Sequence, residues 1–205
     1  MKTILEKKHS ENPETSKVYF TESITSEGLL AVYKALGRKA EGKVAVKVST
    51  GEPGGHNFLN PQLVKPLVDE VKGTIVECNT AYDGRRMDSE EHKKVFVEHG
   101  WTAIAPVDLL DDGGAEMSLP VEGGNHLKEN FVGAHLANYD FVVNLAHFKG
   151  HAMGGFGGVL KNQSIGFGSS AGKSWIHTAA RSAQASEWTP RRTTSSSRWL
   201  RRRSL

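Results

Sequence analysis

Apolar positions in the first half of this chain alternate between two periods. Val18-Tyr19-Phe20 is a short strand candidate, and Leu29, Leu30, Tyr33 and Leu36 then fall at helical spacing between Ser26, placed to cap, and Gly37. Lys43 to Thr50 reads as a strand that breaks at the loop Gly51-Glu52-Pro53-Gly54-Gly55-His56. Asn60-Pro61 opens a second helix with a cap and a proline at the first helical position. Leu63, Val64, Leu67, Val68 and Val71 form its apolar face, Gly73 stops it, and Pro66 is its flaw because proline lacks a backbone donor. Thr74 to Cys78 predicts a strand, Asp88 caps a helix running through His99, and Thr102 to Ala105 predicts another strand.

This succession of strands and helices is the order expected of a parallel sheet with crossover helices. The expected fold class is therefore α/β: a mostly parallel sheet with helices on both faces and a glycine-rich loop at the C-terminal end of a strand. From Val107 to Gly124 the pattern loosens, with Met117 to Val121 as an edge strand or hairpin arm and Leu127 to Asn138 weakly helical. Asp108, Asp111 and Asp112 lack the regular alternation of a calcium loop. The strongest strand signal is Phe141 to Ala146, an apolar run broken only by Asn144 and suited to burial on both faces and hence to the centre of the sheet.

Composition changes this picture mainly at the ends. Residues 1–16 are polar and aperiodic and predict a flexible arm, so that the α/β domain spans 17–179. The net charge of +3 divides into +6 on residues 181–205 and −3 on residues 1–180. Specific nucleic-acid binding would need a basic face on the folded part, and because that part is slightly acidic such binding is not expected. Residues 180–205 are rich in Ser, Thr and Arg and predict a disordered basic tail, read as a truncation or frame-shift of the encoding sequence. No apolar run reaches the roughly 20 residues of a membrane helix and no secretory h-region follows Met1, so no membrane association is expected and the location is read as cytoplasmic. The single cysteine, Cys78, excludes an iron–sulfur cluster formed by this chain alone.

The candidate chemistry gathers where the strand Phe141 to Ala146 ends. His147, Lys149, His151, Lys161, Lys173 and His177 place six reactive groups within 31 residues, and four of the five residues from Gly154 to Gly158 are glycine. Histidine transfers protons near neutral pH or binds metal, and lysine forms covalent links or pairs with anions. The same residues also suit a simpler loop that holds a phosphate or carboxylate, its histidines only donating hydrogen bonds. In the loops after the earlier strands, Arg85 and Arg86 suit an anion or the ends of neighbouring helices, and His56 is a further candidate. Gly172-Lys173-Ser174 matches the end of a P-loop, but Phe167 stands where its first glycine belongs; Leu160 likewise replaces the third glycine of a dinucleotide fingerprint. His92, His99 and His135 lie in helix-like stretches and are expected on the surface.

Lys47 to Gly54, Asn79 to Arg86 and, above all, His147 to Asn162 resemble the bacterial and archaeal domain-of-unknown-function family 362, over roughly residues 16 to 178. Members of that family are often called iron–sulfur centre proteins, and many carry a ferredoxin-like module, so the resemblance implies a ferredoxin-type partner. The order His151, Gly154 to Gly158, Lys161 and His177 is also similar to the nickel-pincer lactate racemase family. That similarity implies a nickel-pincer-like cofactor anchored by Lys161, a metal ligand in His177 and an acid/base in His151.

Two functions follow as expectations. The first is a cofactor- or metal-dependent, redox-linked enzyme domain. In it His151 and His147 are catalytic, Lys161, Lys149, Gly155, Gly157, Gly158, Arg85 and Arg86 hold a small anion or cofactor, and His177 binds metal. The second is a non-catalytic anion- or metal-binding module that works beside a ferredoxin domain.

Overall fold

The structure, a computed structural model, describes residues 5–7, 16–151 and 154–184. In chain order its elements are β1 (Leu5–Lys7), β2 (Val18–Phe20), α1 (Ser26–Ala35), β3 (Val44–Lys47), α2 (Pro61–Val71), β4 (Thr74–Glu77), α3 (Ser89–Glu98) and β5 (Val107–Leu109). There follow β6 (Glu116–Pro120), β7 (Glu129–Gly133), β8 (Phe141–Asn144), β9 (Lys149–His151), β10 (Gly155–Gly157), α4 (Val159–Ser164) and α5 (Ser170–His177). Four strands form one parallel sheet in the order β5-β4-β3-β8, with helices around it, so the fold is α/β. Among the described residues no helix is long and apolar enough to cross a membrane.

The sheet is buried on both sides at its centre, which is why β3 and β4 carry near-continuous apolar runs. Val44, Val46 and Ile75 pack on one side with Val64, Leu67 and Val68 of α2, Phe96 of α3 and Trp101. Ala45 and Val76 point the other way, toward Leu110, Val132 and Phe167. The alternation along β3 thus fills two cores, consistent with side chains of a strand pointing to opposite faces.

The helix boundaries follow from identifiable caps. Thr25 rather than Ser26 caps α1, accepting from the Gly28 N–H at 3.1 Å. Ser26 instead donates its hydroxyl to the carbonyls of Leu63 and Gln62 at 3.1 and 3.4 Å. Gln62 is the residue whose carbonyl Pro66 leaves without an intrahelical donor, so α2 continues through its proline with help from α1. Asn60 caps α2 through the Gln62 N–H at 2.9 Å. At the other end Lys72, not Gly73, takes the left-handed conformation (φ 49°). Gly73 is required by proximity instead, since a Cβ there would stand 2.6 Å from Val46 Cγ2.

Several expectations are corrected. The run Thr102 to Ala105 is a turn, and the strand lies later, at β5. Trp101 and Ile104 are buried from that turn without being in a strand, and the Trp101 indole N–H bonds the Thr50 carbonyl at 2.9 Å. Leu127 to Asn138 is not an α-helix but β7, paired antiparallel with β6, followed by a 3-10 turn over Ala134–Asn138. Cross-strand pairing there overrides a weak local helical tendency. The strand β8 ends at Asn144 and lies at the edge of the sheet, not its centre, with Val142 exposed. Its apolar run is explained by one face: Phe141 and Val143 pack on the first core. Leu5–Lys7, in the stretch expected to be a flexible arm, forms a strand paired with β2. The disordered tail expected at 180–205 lies outside the described residues beyond Gln184.

Candidate functional site

Because β3, β4 and β8 run parallel, the loops that follow them open on the same edge of the sheet, the edge at which open α/β sheets bind ligands. They enclose a cavity of about 370 Å³. Ser49, Glu52 and Phe58 line it from the loop after β3, and Glu77, Tyr82 and Arg86 from the end of β4 and its loop. The third wall carries His147, Lys149, His151, Gly157, Gly158, Lys161 and Asn162, and α5 adds Lys173 and His177.

The floor is an ion network that ties these loops together. Lys47 is wholly buried and its ammonium donates to Glu77 Oε1 at 2.6 Å, to the Val48 carbonyl at 2.6 Å and to Asn162 Oδ1 at 3.1 Å. The other Glu77 oxygen accepts from the Thr50 N–H at 2.9 Å and from Arg86 at 3.3 Å. Burial alone would raise the Glu77 pKa, but Lys47, Arg86 and His92 outweigh it and hold the carboxyl at about 2. Arg86 also reaches Glu52 at 2.7 Å, and Tyr82 donates its hydroxyl to the same Glu52 oxygen.

His92, expected on the surface, is fully buried behind this network. It accepts from Arg86 Nε through Nε2 at 3.2 Å and meets Asn79 Oδ1 through Nδ1 at 3.0 Å, which assigns the proton to Nδ1. Burial and the Arg86 charge push its pKa down to about 3, so the ring is neutral. His99 and His135 are half-buried, with Nδ1 at 2.8 Å from the Thr50 carbonyl and 2.7 Å from Asp108. All three helical histidines therefore serve packing or hydrogen bonding within the fold.

The opposite wall is cationic and much less paired. The β9–β10 hairpin sets Lys149 opposite Gly157 and His151 opposite Gly155. The Gly154 N–H donates to His151 Nδ1 at 3.1 Å, so the ring proton sits on Nε2. Lys161 projects from α4, which is fixed to the sheet where Asn162 donates to Asn144 Oδ1 at 2.7 Å. Burial, then the Lys149 and Lys47 charges, hold the Lys161 amine below the ordinary lysine range. Burial also lowers His177, helped by Lys161 and His151, and lowers His151, helped by Lys161 and Lys149. Lys173 is buried, its ammonium donates to the Gly168 carbonyl, and burial depresses its pKa. His147 keeps a buried Nδ1 atom with no hydrogen-bond partner.

Of the residues expected at the site, His147, Lys149, His151, Gly157, Gly158, Lys161, His177 and Arg86 thus come to one cavity. Arg85 does not: its guanidinium pairs with Glu91 and Glu98 on α3, at 3.0 and 2.7 Å. Gly155 lies at the hairpin turn with φ 75° and open space around it, and His56 is exposed, both away from the cavity lining. Lys47 and Glu77 were not singled out by sequence reasoning, although a lysine and a glutamate at the ends of otherwise apolar buried strands are the signal for them. Cys78 touches the cavity, but its thiol donates to the Phe167 carbonyl and burial pushes its pKa up to about 12. Iodoacetamide is therefore expected to leave Cys78 unmodified in the folded protein at mildly alkaline pH and to label it in urea; equal rates in the two states would contradict this burial.

Among the described residues no group of three or more His, Cys, Asp or Glu side chains could hold a metal ion. The donor set suits an anion better than a cation: lysines and imidazoles face the cavity, while its two acids, Glu52 and Glu77, already pair with Arg86 and Lys47. No curated protein and no solved structure matches the chain. One family model does, over residues 44–195, so that it covers β3 through α5 and with them every wall of the cavity, and the chain belongs to the family described as Domain of unknown function (DUF362).

Proposed function

We propose that this domain binds a small organic anion, as substrate or cofactor, at the carboxyl edge of its parallel sheet and acts on it by proton transfer. The observation that carries this reading is the charge balance of the cavity. Glu52 and Glu77 are consumed by Arg86 and Lys47, whereas the side chains of Lys149 and Lys161 have neither a hydrogen bond nor an ion pair among the described residues. An anion in the cavity would relieve their mutual repulsion and form charge-assisted hydrogen bonds. The unpartnered Nδ1 of His147 supports the same reading, because buried polar atoms without a partner are rare and a ligand group is one way to satisfy them. His151 and His177, both held toward their neutral forms, are suited to accept a proton from a bound ligand.

Titration calorimetry with inorganic phosphate and with lactate tests this. Each of Lys149→Ala and Lys161→Met is expected to weaken binding about tenfold, the effect of losing one hydrogen bond to a charged group. Because the Lys161 pKa lies below its ordinary value in the free protein and rises when an anion binds, binding takes up protons and weakens as pH rises through the depressed value. Failure of both anions to bind, or affinities untouched by both substitutions, would overturn the reading.

A further inference from the structure

We propose that Lys161 is a reactive amine that forms an imine with an aldehyde or ketone carrying a carboxylate or phosphate. This inference rests on the anion-binding reading of the same cavity and narrows its ligand to a carbonyl compound. Four lysines line or floor the cavity, and their surroundings separate them. Lys47 is locked to Glu77 and to two further acceptors. Lys173 is buried and committed to the Gly168 carbonyl. Lys149 is exposed on the hairpin. Lys161 alone is half-buried, lines the cavity, and has a side-chain amine with no hydrogen bond or ion pair among the described residues.

A lysine becomes nucleophilic when desolvation or a neighbouring cation favours its neutral amine, and Lys161 has both, through its position under the hairpin and the charges of Lys149 and Lys47. The division of labour follows from placement. The Lys149 ammonium holds the ligand's anionic group, and the Lys161 nitrogen meets its carbonyl carbon. In the first step the amine lone pair forms the C–N bond while the carbonyl π pair moves to oxygen; the nitrogen loses one proton and the oxygen takes one, giving a carbinolamine. In the second step a proton is delivered to the hydroxyl, the nitrogen lone pair forms C=N as the C–O bond breaks and water leaves, and the nitrogen gives up its remaining proton. His177 and His151 line the same cavity as Lys161, which supplies two proton carriers within the site. No oxidant or reductant is consumed.

The full chain treated with glyoxylate and cyanoborohydride tests this, because the added hydride traps each imine as a stable secondary amine that peptide mass spectrometry locates. Modification at Lys161 is expected to run at least about tenfold faster than at the exposed Lys39 and Lys43 at neutral pH, and inorganic phosphate is expected to slow it at Lys161 only. Lys161→Arg is expected to remove the fast adduct and leave the slow ones. A rate at Lys161 no higher than at Lys39 and Lys43, in protein that still binds phosphate, overturns the imine proposal. Fast labelling of Lys161 that phosphate neither slows nor accompanies by binding overturns the anion reading instead and leaves a reactive lysine in place.

Discussion

Glu77→Gln is expected to destabilise the folded protein by about 3–5 kcal/mol, the usual consequence of removing one partner from a buried ion pair. Glu77 is 3% exposed and is the only carboxylate that touches Lys47, which is wholly buried, among the described residues. A glutamine can keep the hydrogen bond from the Thr50 N–H, but it leaves the Lys47 ammonium uncompensated and deprives Arg86 of its deeper partner. Urea denaturation measures the loss, and a change below about 1 kcal/mol would show that the pair does not matter in this way. Lys47→Met with Glu77→Leu together should recover part of the stability, since a packed apolar pair avoids the desolvation of both charges.

The same network sets the acid limit of the fold. The folded Glu77 carboxyl titrates at about 2, against an ordinary value of 4.5. A depressed carboxyl pKa stabilises the folded state fully above the unfolded value and loses that contribution as pH falls through the folded one. Stability should therefore decline from about pH 4.5 toward pH 2, and Glu77→Gln should flatten that part of the profile.

Gly172→Ala is the second substitution with a large expected effect. A Cβ at Gly172 would lie 1.8 Å from the Phe131 carbonyl oxygen and 2.8 Å from its carbon. These are backbone atoms of β7, which cannot swing aside as a side chain would, so α5 must withdraw from the hairpin. Overpacking of this kind costs about 1–3 kcal/mol or more. The displacement also moves Lys173 and His177, which α5 carries into the cavity wall, so phosphate binding is expected to weaken along with stability. Gly158→Ala is the control for stability: its Cβ would meet only the rings of Phe148, at 3.3 Å, and Phe156, at 3.9 Å, and both are largely exposed and can shift. If Gly172→Ala proves as harmless as Gly158→Ala in thermal denaturation, the close docking of α5 on β7 is wrong.

Periodicity made β3, α2, β4 and α3 legible because each buries a face whose spacing is set by its own geometry, 3.6 residues for a helix and two for a strand. Where apolar residues are buried without regular structure the same reading failed, as at Trp101 and Ile104, whose turn looks like a strand only because both side chains reach the core. It failed also at Leu127 to Asn138, where the pairing of β7 with β6 supplies hydrogen bonds that a local window cannot see. The concentration of His147, Lys149, His151 and Lys161 after one strand was visible in the sequence, since they are near neighbours along the chain. Their meaning depended on residues far away.

What the sequence determined by itself is the class of fold and one wall of the site: alternating strand and helix signals require a parallel sheet, and a parallel sheet sends the loops after β3, β4 and β8 to one edge. The tertiary structure decided which charges remain available there. Arg85 and Arg86 are adjacent and chemically identical, yet one faces α3 and the other the cavity, where Glu52 and Glu77 neutralise it. Lys47 and Lys161 are both lysines of the same cavity, but only Lys47 has a carboxylate within 2.6 Å. Charge pairing depends on distances of a few ångströms between residues 30 to 115 positions apart, and those distances exist only once the chain has folded.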